Sequence, residues 1–74
     1  MNKRIVKIVR RSVKYNPHIN NVGEVACVEE EGKDYLQVIT SNGGVGAVDK
    51  DVVVDMDFEL LSTETRIALR EWCR

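Results

Sequence analysis

The stretch "SNGGVGAVDKD", residues 41–51, places three glycines within four residues between two apolar runs. Glycine-rich loops of this kind can cradle a phosphate, because their backbone N–H groups approach the anion closely. The chemistry of this loop argues otherwise. No Lys-Ser or Lys-Thr follows it, so the phosphate loop G-x-x-x-x-G-K-[ST] is not formed, and the dinucleotide fingerprint G-x-G-x-x-G is also absent. The residues that follow have strand character and do not open a helix. Asn42-Gly43 is instead a strong hairpin signal, since a tight turn needs positive φ. Gly46 in the next strand marks a bulge or a close backbone approach.

Two charged sets are the next candidates. Residues 1–18 carry Lys3, Arg4, Lys7, Arg10, Arg11 and Lys14 and no acid, whereas the rest of the chain carries five cations and all twelve acids. A net charge of −1 therefore hides a strong asymmetry. Arg4, Lys7, Arg10, Arg11 and Lys14 could track nucleic-acid phosphates by releasing counterions. Were the first and last strands neighbours, these cations could instead pair with Asp55, Asp57 and Glu59, each pair contributing roughly 0.2–1 kcal/mol, and this intramolecular pairing is the favoured reading. The acids at Glu29–Glu31, Asp34, Asp49 and Asp51 do not match the calcium loop D-x-[DN]-x-[DN]-G and read as a solvated surface.

Other reactive side chains are sparse. One histidine, His18, lies beside Pro17 in a loop, and two cysteines, Cys27 and Cys73, stand far apart with no zinc-ligand spacing. A disulfide between them is one reading, and two free thiols in a reducing cytoplasm are the favoured one. No nucleophile–base pair can be assembled from the sequence, so no catalytic residue, metal or cofactor is expected, and an enzyme is not. Tyr15 and Trp72 could anchor a partner, since interface hot spots favour Trp, Tyr and Arg, although Trp72 filling the join between helix and sheet is favoured.

The elements that must position these residues are short. "RIVKIVRRSVKY" (residues 4–15) is rich in β-branched residues, which favour a strand over a helix. "NPHINNVG" (residues 16–23) carries turn chemistry. Further strands are expected over residues 24–30, 35–40 and 45–48. In "VVVDMDFEL" Val52, Val54, Met56, Phe58 and Leu60 alternate with Val53, Asp55, Asp57 and Glu59, which predicts a last strand over 52–60 with one buried and one acidic face. "LSTETRIALREWCR" predicts a helix over 63–73. Ser62 or Thr63 caps its start, Glu64 and Arg70 complement its dipole, and Thr65, Ala68, Leu69, Trp72 and Cys73 share one face.

A chain of 74 residues with 43% apolar and 31% charged residues fits one small globular domain. No apolar run approaches the roughly 20 residues of a membrane span. Five short strands with tight turns predict a mainly β fold, a small barrel with a C-terminal helix. Residues 32–56, "GKDYLQVITSNGGVGAVDKDVVVDM", resemble the second half of an SH3-like barrel: a middle strand, a polar-glycine turn, a short strand ending in "G-x-V" (Gly46-Ala47-Val48), a one-turn connector (residues 49–51) and the final strand. "VGEVACV" resembles the opening strand of the KOW and Tudor-like relatives. The resemblance implies that the first and last strands are neighbours. Peptide-binding SH3 domains carry a tryptophan where this chain has Tyr35-Leu36 and a proline where it has Asp49, so their polyproline groove is not implied.

The leading expectation is a non-enzymatic interaction module for a protein partner. Its contacts would come from Tyr15 and His18, from Asn42 in the 41–44 turn, and from Arg66, Arg70 and Trp72 on the helix. Its style is that of a cytoplasmic accessory or regulatory protein of a bacterium or bacteriophage. The alternative is a nucleic-acid-binding barrel using the basic first strand.

Overall fold

The computed structural model describes residues 4–11 and 22–73; Lys14, Tyr15 and His18 lie outside them. Five strands form one antiparallel sheet: β1 (Ile5–Ile8), β2 (Val25–Glu31), β3 (Tyr35–Thr40), β4 (Val45–Asp49) and β5 (Val53–Asp55). Their order is β4-β3-β2-β1-β5, so the first and last strands are neighbours. One α-helix is found among the described residues, α1 (Thr63–Trp72), and it follows β5. The protein is thus mainly β with a C-terminal helix, as the sequence predicts.

Alternation sorts the strand residues onto two faces. On one face Val6, Ile8, Ala26, Leu36, Val38 and Val48 join Val52 in a buried cluster, with Val28 and Val53 packed against it. Val48 comes from one edge strand and Val53 from the other, so the sheet curls until both edges share one core. On the opposite face Ile5 and Cys27 meet Leu69 and Cys73 from the helix end, with Val25, Ile39, Met56, Phe58 and Leu61 around them. The fold has two apolar layers with no buried residue in common.

The last strand is shorter than its alternating pattern predicts. Only Val53–Asp55 pairs with β1, with Val6 opposite Asp55 and Ile8 opposite Val53. Lys50–Val52 forms a single 3-10 turn, and Phe58–Leu60 forms another. The second turn has a local cause. The Asp57 carboxylate accepts from the Glu59 N–H at 3.0 Å, and the Asp57 carbonyl accepts from the Leu60 N–H at 3.0 Å, so the side chain offers the backbone an alternative to the ladder. The predicted apolar face breaks accordingly. Val52 is buried, but Val54 is exposed and Leu60 is 79% exposed. The first strand is also shorter than expected: β1 stops at Ile8 and the described backbone continues only to Arg11.

The two cysteines correct a further expectation. They are not free thiols but form a disulfide, Cys27–Cys73, between residues 46 apart in sequence, with their Cα atoms 6.3 Å apart. That span is ordinary for a disulfide. The cause is topological. Cys27 stands opposite both Ile5 and Ile39, at the centre of the face that α1 covers, and Cys73 is the residue that ends the helix.

Candidate functional site

The 41–44 turn and the end of α1 form the most distinctive surface. Thr40 N–H donates to the Gly44 carbonyl at 2.8 Å and Gly43 N–H to the Thr40 carbonyl at 2.9 Å. Gly43 has φ +90° and Asn42 does not have a positive φ. The connection is therefore a three-residue hairpin loop with Gly43 at positive φ, at the Asn-Gly turn that the sequence predicts. Asn42 locks it: its Oδ1 accepts from the Gly44 N–H at 3.1 Å and from the Thr40 hydroxyl. Gly44 N–H also donates to Thr40 Oγ1 at 3.0 Å, which satisfies a hydroxyl buried in the sheet.

Trp72 lies over this turn. A Cβ on Gly43 would stand 3.0 Å from Trp72 Cζ2 and 3.1 Å from Cε2, so the bare glycine backbone is the ring's seat. The indole is nevertheless 49% exposed, and Val45, two residues beyond Gly43, is 60% exposed. Val45 pairs with Ile39, whose side chain packs in the helix layer, so Val45 and Trp72 belong to the same side of the sheet. Strand β4 has β3 on one side and no strand partner on the other among the described residues. The site is thus an amphipathic ring resting on Gly43, with an exposed valine and the open edge of the sheet on the same side. Trp72 meets the 41–44 turn at Gly43 and stays 49% exposed, outside both apolar clusters.

Arg66 and Arg70 lie on the other flank of α1. Arg66 Nη1 stands 3.5 Å from Glu59 Oε2 and its Nη2 donates to Thr63 Oγ1 at 3.5 Å. The Arg70 guanidinium sits 5.3 Å from the centre of the Phe58 ring, a cation–π arrangement. Both arginines fasten the 58–60 turn to the helix. The structure brings Asn42 and Trp72 together and does not bring Arg66 and Arg70 to them. Val45 and the β4 edge were missed in sequence, because a short apolar run looks the same whether its outer residues are covered or open.

The basic set divides. Arg4 Nε donates to Asp55 Oδ1 at 2.6 Å and Nη1 to Glu31 Oε1 at 3.2 Å; Lys50 Nζ reaches Glu31 Oε2 at 3.0 Å. Asp55, Arg4, Glu31 and Lys50 thus alternate in sign along one chain of contacts. The hydrogen bond from Lys50, together with its charge, holds the Glu31 carboxyl below the usual carboxylate range, with Arg4 adding to the effect. The hydrogen bond to Asp55 raises Arg4 above its already high value. Arg10 Nη2 lies 3.8 Å from Asp51 Oδ2 and also donates to the Asp51 carbonyl. Arg4 and Arg10 are therefore each paired with an acid at the surface of the fold. Lys7, opposite Val25 and Val54, and Arg11 make no ion pair with a described residue.

No group of three or more metal-ligating side chains occurs among the described residues, and no described helix is long and apolar enough to cross a membrane. No family model, no curated protein and no solved structure matches this chain.

Proposed function

We propose that this chain is a small non-enzymatic interaction module, SH3-like in fold, that binds a protein partner through Trp72, the 41–44 turn and the open side of β4. The observation that carries the reading is the half-exposed indole of Trp72, seated on Gly43 beside the exposed Val45. A tryptophan already fixed by its underside loses little rotamer freedom on binding, and such residues dominate interface energetics. The strand order, with first and last strands adjacent and a one-turn connector entering the last, supports the SH3-like part of the proposal.

Nucleic-acid binding by the basic strand loses support from the ion pairs of Arg4 and Arg10. A cytoplasmic setting accords with the structure only where the Cys27–Cys73 bond is conditional, because structural disulfides persist in oxidising surroundings.

The test is retention of a discrete protein from an extract of the source cell on immobilised protein, compared with Trp72→Ala and Val45→Asp variants whose circular dichroism matches the parent. Retention by the parent and loss in both variants is expected. Equal retention by all three would refute this surface. Salt-sensitive binding of generic duplex or single-stranded nucleic acid between about 50 and 200 mM would favour the other reading.

A further inference from the structure

The helix layer is built so that one covalent bond can decide whether it stays in place. The sheet's inner cluster draws on β1 to β4 and the connector and contains nothing from α1. Helix α1 is ten residues long and buries only Leu69 along its length. Helices under about 12–15 residues are marginal alone in water, so α1 depends on its docking. Beyond Leu69 the deepest attachment is Cys73, which is 4% exposed and bonded to the fully buried Cys27. Cys27 itself belongs to β2 and is held by its strand pairings with Ile5 and Ile39, so its position does not require the helix.

We infer that the Cys27–Cys73 bond is a redox clasp: oxidised, it holds α1 and Trp72 on the sheet; reduced, it releases them while the strands keep their own core. The reductant is a dithiol. One of its thiolates attacks Sγ of Cys73, the less deeply buried of the two cysteines and the one at the end of the helix, once the last turn frays. The Cys27–Cys73 bond breaks, Cys27 leaves as a thiolate and takes up a proton, and a mixed disulfide joins Cys73 to the reductant. The reductant's second thiol displaces Cys73, which is protonated in turn. The protein gains two electrons and two protons, and the dithiol becomes a disulfide. Re-formation by an oxidised dithiol runs the same steps backward and re-docks the helix.

Release needs no partner. That release also withdraws the partner surface rests on the function proposed above, and the experiment is chosen to read the release alone. The wild-type chain is compared with and without dithiothreitol by amide hydrogen exchange and by quenching of Trp72, the only tryptophan in the sequence. On reduction, exchange across α1 should quicken by at least about tenfold, and Trp72 should become more accessible to quencher. The amides of β2 and β3 should lose less protection than those of α1, since they open only with the whole sheet, and reoxidation should restore the starting pattern. A Cys27→Ser, Cys73→Ser double variant should show the reduced pattern with no reductant present. Unchanged protection of α1 on reduction would overturn the clasp. So would loss of protection in β2 and β3 as large as that in α1, with the sheet's circular dichroism lost at the same time, which would make the bond a staple of the whole fold. So would finding both thiols open to alkylation in the oxidised protein. Loss of partner binding elsewhere would leave this result standing.

Discussion

Gly43 combines two demands that no other described glycine combines, a φ of +90° and a ring pressed against its α-carbon. Gly23 is its natural control, with φ +93° and nothing within 4 Å of where a Cβ would stand. Gly23→Ala should cost only the left-handed backbone penalty, about 1–2 kcal/mol. Gly43→Ala adds crowding against Trp72 and should cost about 2–3 kcal/mol. Urea denaturation measures both. In a Trp72→Ala background the Gly43→Ala cost should fall toward that of Gly23→Ala; full additivity would show that the ring does not rest on the glycine. Glu31 gives a second residue-scale expectation. Its folded pKa lies below its ordinary value because of Lys50 and then Arg4. Its contribution is therefore present above the unfolded carboxylate pKa and lost as pH falls through the lowered folded value. Glu31→Gln should be less stable than the parent at neutral pH, and the gap should close on acidification through that window. A gap independent of pH would contradict the pairing. Asn42-Gly43 was legible as a turn because its chemistry is local. The ring above it was not, because Trp72 arrives from the far end of the chain.

At the scale of elements, α1 and the segment before it separate what sequence pattern can establish from what it cannot. The helix was readable almost to its ends, since cap and periodicity act over one turn. Ser62 Oγ accepts from the Thr65 N–H at 3.2 Å, and Ser62→Ala should cost about 1 kcal/mol. Leu69 is fully buried, and Leu69→Ala should cost about 2–5 kcal/mol. The run over residues 52–60 misled for a physical reason. Nine residues of period two describe an uninterrupted strand only if every residue stays in the ladder, and the capping of Asp57 and the turn at Lys50–Val52 remove most of them. Leu60 thereby changes from a predicted core residue to one 79% exposed. Leu60→Ser should shift stability by no more than about 0.5 kcal/mol, whereas a core leucine would lose several times as much. Thermal or urea unfolding of Leu60→Ser beside Leu69→Ala decides between the pattern and the turn.

For the molecule as a whole, the disulfide is the feature least visible in the sequence and the one with the widest reach. Two cysteines 46 residues apart carry no pairing signal of their own. They meet because β1 and β3 flank β2, which puts Cys27 at the middle of the sheet, and because α1 returns across that middle. The adjacency of the first and last strands was what the SH3-like resemblance implied, and Arg4 with Asp55 forms one of the charge pairs expected between them. The bond's effect on global stability follows from chain statistics. Closing a loop of this length removes unfolded-chain entropy worth about 4 kcal/mol at 25 °C, a large share of the roughly 4–11 kcal/mol that a chain this size commands. Reduction should therefore lower the urea midpoint strongly, by more than Ser62→Ala alone. Because the inner cluster from Val6 to Val52 contains no helix residue, the β-sheet signal in circular dichroism should persist in the reduced protein without denaturant and then be lost in one cooperative transition. A midpoint unmoved by reduction would mean that the bond closes no loop that matters to the unfolded chain.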